Sequence, residues 1–249
     1  MSVPEPPLPG EVHLWLASPD TVCAERAAAL LGLLDVDERE RWARFRLERH
    51  RREYLAAHAL LRLSLSRHAA VRPSAWSFSA GPRGRPEVAG PCVGLALRFN
   101  LTHTAGLVAC AVTAGGDVGV DAERVERRRD LLGLAAHVLA PGELQDVRDQ
   151  PEEARPGRFY DYWTLKEAYA KAHGAGLALP LRSVCFGLQG AGRVAATFHP
   201  PLDDDPAGWW FTLLRPTPEH RAAVAVRVPP GSEARLRVRF LRWPAPPGG

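Results

Sequence analysis

A chain of 249 residues, 46% hydrophobic and 24% charged, holds enough apolar material for one large core or two smaller ones, which excludes a disordered polymer. The formal net charge of +4 rests almost wholly on arginine and suits anionic ligands and acidic partners better than dedicated duplex binding. The four cysteines, Cys23, Cys92, Cys110 and Cys185, show no C-x-x-C spacing, so they read as buried thiols rather than as zinc ligands or a disulfide framework.

The first ten residues are proline-rich without a basic region leading into an apolar run, and no stretch approaches the length of a membrane span. A cytoplasmic protein is expected. Val12, Leu14 and Leu16 alternate with His13 and Trp15, the period of a strand over Glu11–Ala17. A helical region covers 37–67, where Tyr54, His58, Leu61 and Leu65 fall at helical spacing while Arg51, Arg52 and Arg62 lie off that line and read mainly as a solvated face. Residues 81–94, with Gly84-Arg85-Pro86, read as a loop.

Two strands are expected at 95–101 and 107–113, with the polar Thr102, His103 and Thr104 between them. Gly115-Gly116-Asp117 then breaks the chain and marks a boundary between an N-terminal domain, 1–115, and a C-terminal one, 116–249. Past it come a strand at 118–123, helices near 129–139, 141–148 and 158–173, and several strands within 183–242, before a Pro-Gly-rich end at 244–249 that reads as frayed. The expected fold class is α+β, as two halves of comparable size, each with helix packed on an antiparallel sheet.

Chemistry concentrates in two places after the boundary. In Val118-Gly119-Val120-Asp121-Ala122-Glu123 the period of two puts Gly119, Asp121 and Glu123 on one face of an otherwise apolar strand. Two carboxylates there are suitable ligands for a hard divalent cation, although solvated acids matched to the arginines at 127–129 are the plainer alternative. Their side chains are expected to point into an open cleft. The second place is Trp163-Thr164-Leu165-Lys166-Glu167-Ala168-Tyr169-Ala170-Lys171, where Trp163, Glu167 and Lys171 line one helical face and Gly174 and Gly176 end the helix.

Lys166 and Lys171 are the only lysines among 32 basic side chains. Since arginine serves everywhere else, these two positions are expected to need an ammonium, a compact point charge that meets phosphate differently from a planar fork.

These residues carry a family resemblance. Gly119-Val120-Asp121-Ala122-Glu123 and Trp163-Thr164-Leu165-Lys166-Glu167-Ala168 with Lys171 resemble the paired signature of the phosphopantetheinyl transferase superfamily, and Phe99-Asn100-Leu101-Thr102-His103 resembles its upstream F-N-x-S-H segment. The length resembles the surfactin-synthetase-activator type, which implies a pseudo-twofold pair of α+β halves with coenzyme A in the cleft between them. The resemblance further implies a cytoplasmic monomer that moves 4′-phosphopantetheine from coenzyme A to a serine of an apo acyl- or peptidyl-carrier protein and releases 3′,5′-adenosine bisphosphate. It implies that Asp121, Glu123 and Glu167 hold Mg2+, and that Lys166 and Lys171 neutralise the diphosphate. Glu167 is the candidate general base. Arg41, Arg52, Arg85, Thr102 and His103 fall where the family contacts the nucleotide, with threonine in place of the usual serine.

Two rivals stand beside this reading. A nucleotide hydrolase or kinase lacks its G-x-x-x-x-G-K-[ST] loop here, and Gly174-Ala175-Gly176 follows a helix instead of preceding one. A catalytically silent module that binds coenzyme A or carrier protein is the other. No nucleic-acid or membrane partner is expected, since the arginine-rich stretch 124–129 contains Glu126 and no interleaved aromatic.

Overall fold

The alternation at the start of the chain does form a strand, β1 (Glu11–Ala17), and every one of its residues is buried. Helices α1 (Ala24–Leu31), α2 (Val36–Arg44) and α3 (Glu48–Leu65) follow, then β2 (Ser77–Ala80), β3 (Pro86–Ala89), β4 (Leu97–Thr104), β5 (Leu107–Ala114) and β6 (Val118–Arg124). Next come α4 (Leu131–Val138), α5 (Pro141–Asp149) and α6 (Arg155–His173), then β7 (Val184–Gln189), β8 (Arg193–Phe198), β9 (Trp209–Leu214), β10 (His220–Arg227) and β11 (Arg235–Phe240). This computed structural model describes residues 4–81, 84–174, 179–189, 193–229, 232 and 234–243; Gly176 and the expected frayed end at 244–249 lie outside them. Among the described residues no helix is long and apolar enough to cross a membrane.

The chain divides into two units, one of residues 1–115 with 235–249 and one of 116–234. The last strand therefore returns to the first unit, so the second is 116–234 and not the expected 116–249. In the first unit the sheet order is β11-β1-β5-β4, and β11 runs parallel to β1, so this sheet is not wholly antiparallel as expected. Helix α3 packs on β5 and β4, burying Leu55, Leu60 and Leu65 against Val108, Cys110 and Val112. The expected single helical region is two helices, because Asp35 and Glu38 cap the start of α2 reciprocally and Phe45 leaves helical geometry at its end. Arg62, read as part of a solvated face, is fully buried, and its guanidinium holds Asp35, Glu38 and the Trp76 carbonyl. The loop expected at 81–94 includes β3, which pairs with β2, and Thr102 to Thr104 lie within β4 rather than between strands. Cys23 is exposed and Cys185 half-buried, so only Cys92 and Cys110 are the buried thiols expected.

The second unit is an antiparallel sheet in the order β6-β10-β9-β8-β7, with α6 packed on β6 and β10. Leu165, Ala168, Tyr169 and Ala172 of α6 are buried, in the same core as Ala223 and Ala225 of β10. Gly119 decides how close α6 comes: a Cβ there would run into the Ala168 carbonyl and the Ala172 amide. Only glycine admits that contact, which brings the side chains of α6 directly over the acids of β6.

Candidate functional site

The acids of β6 face α6, as their shared strand face requires. Nζ of Lys171 donates to Oδ1 of Asp121 at 2.7 Å and to the Val120 carbonyl at 3.2 Å. Two turns back along α6, Nε1 of Trp163 donates to Oε1 of Glu123 at 3.3 Å. Glu167 lies between them on the same helical line. Burial raises the Glu123 carboxyl above its ordinary range and the Asp121 charge raises it further; burial and then Asp121 act on Glu167 in the same direction. The Asp121 charge thus acts on both other carboxylates, with the Lys171 ammonium against Asp121 itself. Asp121 is only 5% exposed, so the open cleft expected for both strand acids is not its environment.

Lys166 goes elsewhere. Adjacent helical residues point about 100° apart, so a side chain next to Glu167 cannot share its face. Nζ of Lys166 is 2.8 Å from Oε2 of Glu143, 2.8 Å from the Leu181 carbonyl and 2.6 Å from that of Val184, three acceptors for three N–H groups. The side chain is fully buried, and burial pulls the ammonium below its ordinary range while Glu143 opposes that pull. This geometry corrects the expectation that Lys166 reaches the phosphates. Its ammonium is saturated within the protein and ties α6 to α5 and to the entry of β7.

Glu143, absent from the sequence reading, is the hub of that tie. One oxygen accepts from the Ala140 amide at 2.7 Å and the other from the Phe186 amide at 2.8 Å, in addition to Lys166. Its signal was present in the sequence: a glutamate two residues after Pro141 sits at the third position of a helix that begins with proline, where a carboxylate reaches back to the cap.

In the first unit a cavity of about 630 Å³ opens between α2, α3, β2 and β4. Arg41, Arg85 and His103 line it together with the rings of Phe45 and Tyr54. Its acids are Asp35, Asp37 and Glu38; Arg62 holds Asp35 and Glu38, and His58 adds a 2.8 Å contact to Glu38. Arg41 and Arg85 are the guanidinium groups of the wall, each able to meet a phosphate beside an apolar ring system. Arg52 and Thr102 are not among the lining residues; Arg52 is half-buried on α3, and Thr102 is buried on β4, one residue before the exposed His103.

Among the described residues no group of three His, Cys, Asp or Glu side chains forms a ready metal cage. The donor chemistry nevertheless suits magnesium, which keeps several waters and takes one or two carboxylates plus substrate phosphates in place of an all-protein cage.

Comparison with known proteins bears on the same residues. The family described as the 4′-phosphopantetheinyl transferase superfamily matches residues 117–225, which include β6 and all of α6. The 4′-phosphopantetheinyl transferase HetI of Nostoc sp. is 34% identical over 233 residues, 91% of this chain and 92% of that one. The 4′-phosphopantetheinyl transferase Sfp of Bacillus subtilis is 25% identical over 205 residues, 82% of this chain and 87% of that one. Among solved structures, the holo-[acyl-carrier-protein] synthase of Thermotoga maritima is 24% identical, covering 48% of this chain and 64% of that one at a TM-score of 0.36.

Proposed function

The chain belongs to the 4′-phosphopantetheinyl transferase superfamily, and from that premise we propose that the β6–α6 acids and Lys171 are the centre at which it transfers 4′-phosphopantetheine from coenzyme A to a serine of an apo carrier protein. The observation that supports this reading is the convergence of Asp121, Glu123 and Glu167 with the Lys171 ammonium. Asp121, Glu123 and Glu167 are the residues that would hold Mg2+. When bound, the ion supplies neutralising charge to the diphosphate, the main requirement of phosphoryl transfer.

The protein's own groups divide the remaining work. Lys171, held between Asp121 and the Val120 carbonyl, aims a positive charge at oxygens that gain negative charge as 3′,5′-adenosine bisphosphate leaves. The Glu167 carboxylate accepts the proton of the carrier serine as its hydroxyl attacks the β-phosphate, directly or through one water. In the first unit Arg41, Arg85 and His103 take the nucleotide end and its 3′-phosphate in the arginine-walled cavity, with Arg52 and Thr102 as further contacts. The chain works as a monomer in the cytoplasm, without nucleic acid or membrane.

Intact-mass analysis of several apo carriers incubated with coenzyme A and magnesium tests this reading. The expected result is one phosphopantetheine added per carrier, stopped by a chelator. Transfer that persists in excess chelator overturns the metal assignment, and carrier captured without any gain in mass replaces the transferase with a silent binding module.

A further inference from the structure

His58 lines the cavity of the first unit, one turn beyond Tyr54 on the same face of α3. The two rings stack, with centroids 4.0 Å apart and planes 30° from parallel, and Phe45 continues the surface 5.3 Å from Tyr54. These three rings make one aromatic wall, suited to a base, while Arg41 and Arg85 supply the guanidinium groups for phosphate. The orientation of His58 comes from buried groups beneath it. Arg62, whose side chain has no exposed surface, donates from Nε to Oε2 of Glu38 at 2.9 Å, and the Asp35 amide donates to the same oxygen at 3.0 Å. Oε1 of Glu38 is left for Nδ1 of His58, at 2.8 Å.

That contact decides which ring nitrogen carries the proton. Burial pushes the Glu38 carboxyl up, but His58, Arg62 and the Asp35 amide outweigh it and hold the group below its ordinary range, so it is a carboxylate that only accepts. Nδ1 of His58 is therefore the donor, and in the neutral ring Nε2 is the acceptor. Nε2 is also the nitrogen left for whatever enters the cavity. Phosphate oxygens are acceptors and cannot satisfy it in that state. An N–H donor at the edge of a base can, and the exocyclic amine of adenine is such a donor.

We propose that His58 is a specificity-determining residue of this cavity, its Nε2 accepting a hydrogen bond from the exocyclic amine of the adenine of coenzyme A, with Glu38 and Arg62 as the positioning residues behind it. The proposal rests on the reading of this cavity as the nucleotide site. Its consequence is discrimination by base. A keto oxygen in place of the amine sets two acceptors against each other, and an acceptor left unpaired in the wall costs affinity.

The test is calorimetric binding to the full chain at about pH 8, where histidine is ordinarily neutral. It compares coenzyme A with its hypoxanthine analogue, which carries a keto oxygen in place of the exocyclic amine. The wild type is expected to bind coenzyme A about tenfold more tightly than the analogue. In His58→Phe, which keeps a ring against Tyr54 but has no nitrogen, coenzyme A binding is expected to weaken about tenfold and the preference to fall to about twofold or less. His58→Gln, whose amide oxygen still accepts, is expected to recover part of the preference, which a role in packing alone would not produce. Should His58→Phe fail to fold, His58→Ala takes its place in the same comparison. A wild type that binds both bases alike overturns the proposal, as does a preference that survives intact in His58→Phe. A variant that keeps the base preference but loses the wild-type preference for coenzyme A over 3′-dephospho-coenzyme A assigns His58 to the phosphate and overturns it equally. A wild type that binds neither compound overturns the nucleotide reading of the cavity itself.

Discussion

The Lys171 ammonium stands 2.7 Å from Oδ1 of Asp121 while its neighbour in composition, Lys166, is spent 2.8 Å from Glu143. Two lysines five residues apart, in a chain that otherwise uses only arginine, thus have opposite surroundings. One is partly exposed beside three carboxylates and the other is sealed in a core.

For Lys171 the expected consequence is a turnover effect with little cost in stability. Lys171→Arg keeps the charge, but a planar fork cannot occupy the point between Asp121 and the Val120 carbonyl. A displacement on the order of 1 Å is expected to lower turnover about 100-fold. Steady-state transfer to an apo carrier, compared with denaturant unfolding of the same variant, checks it. Wild-type turnover would return Lys171 to a generic charge.

Lys166 predicts the reverse order of effects. Lys166→Met leaves Glu143 buried without its ammonium, an error that costs about 3–5 kcal/mol of stability. Removing the partner charge as well, in Glu143→Gln with Lys166→Met, should recover part of that loss, because the uncompensated charge is gone. Denaturant unfolding of the two single variants and the double measures the coupling. Additive losses would show that the pair does not act as one unit.

The differences between sequence reading and structure follow from what each kind of pattern encodes. The period of two in β1 and β6 reports faces, so the strand and the shared face of Gly119, Asp121 and Glu123 were legible. The same period in Arg235–Phe240 says nothing about which sheet accepts the strand, since its partner β1 lies more than two hundred residues away. The resemblance sends Lys166 to the phosphates, but the helical angle that separates it from Glu167 turns its side chain to Glu143 instead. The burial of Arg62 leaves no mark in the local sequence, because its partners Asp35 and Glu38 come from a different helix.

Gly119 makes the contact between α6 and β6 a measurable quantity. Gly119→Ala places a Cβ against the Ala168 carbonyl and the Ala172 amide, both backbone atoms that cannot rotate away. The helix must shift, at a cost of about 1–3 kcal/mol or more, and the Lys171–Asp121 contact shifts with it. Turnover should fall together with stability. A variant that unfolds like wild type would show that α6 can retreat freely.

The first unit carries a pH dependence of its own, centred on His68. Its Nε2 accepts from the Trp15 indole at 3.2 Å and its Nδ1 donates to the Glu5 carbonyl at 2.7 Å, so its partners select one neutral tautomer. Burial, helped by the nearby His13 and Arg239 and opposed by Glu5, lowers its pKa to about 4. An unfolded histidine titrates near 6.5, so between that pH and about 4 the unfolded chain binds the extra proton. The stability this histidine contributes is complete above pH 6.5 and is lost as the pH falls toward about 4, by at most about 3 kcal/mol. His13, whose ring centroid lies 4.8 Å away and whose pKa burial also lowers, adds a change of the same sign. Unfolding free energies at pH 7, 6 and 5 should decline for the wild type and decline less for His68→Gln, whose amide does not titrate but still offers an oxygen to Trp15. Comparing the two at each pH removes the carboxylates from the result, since both chains share them. Equal slopes would mean that His68 is protonated in the folded protein at the same pH as in the unfolded one, and that the Trp15 and Glu5 contacts do not hold it neutral.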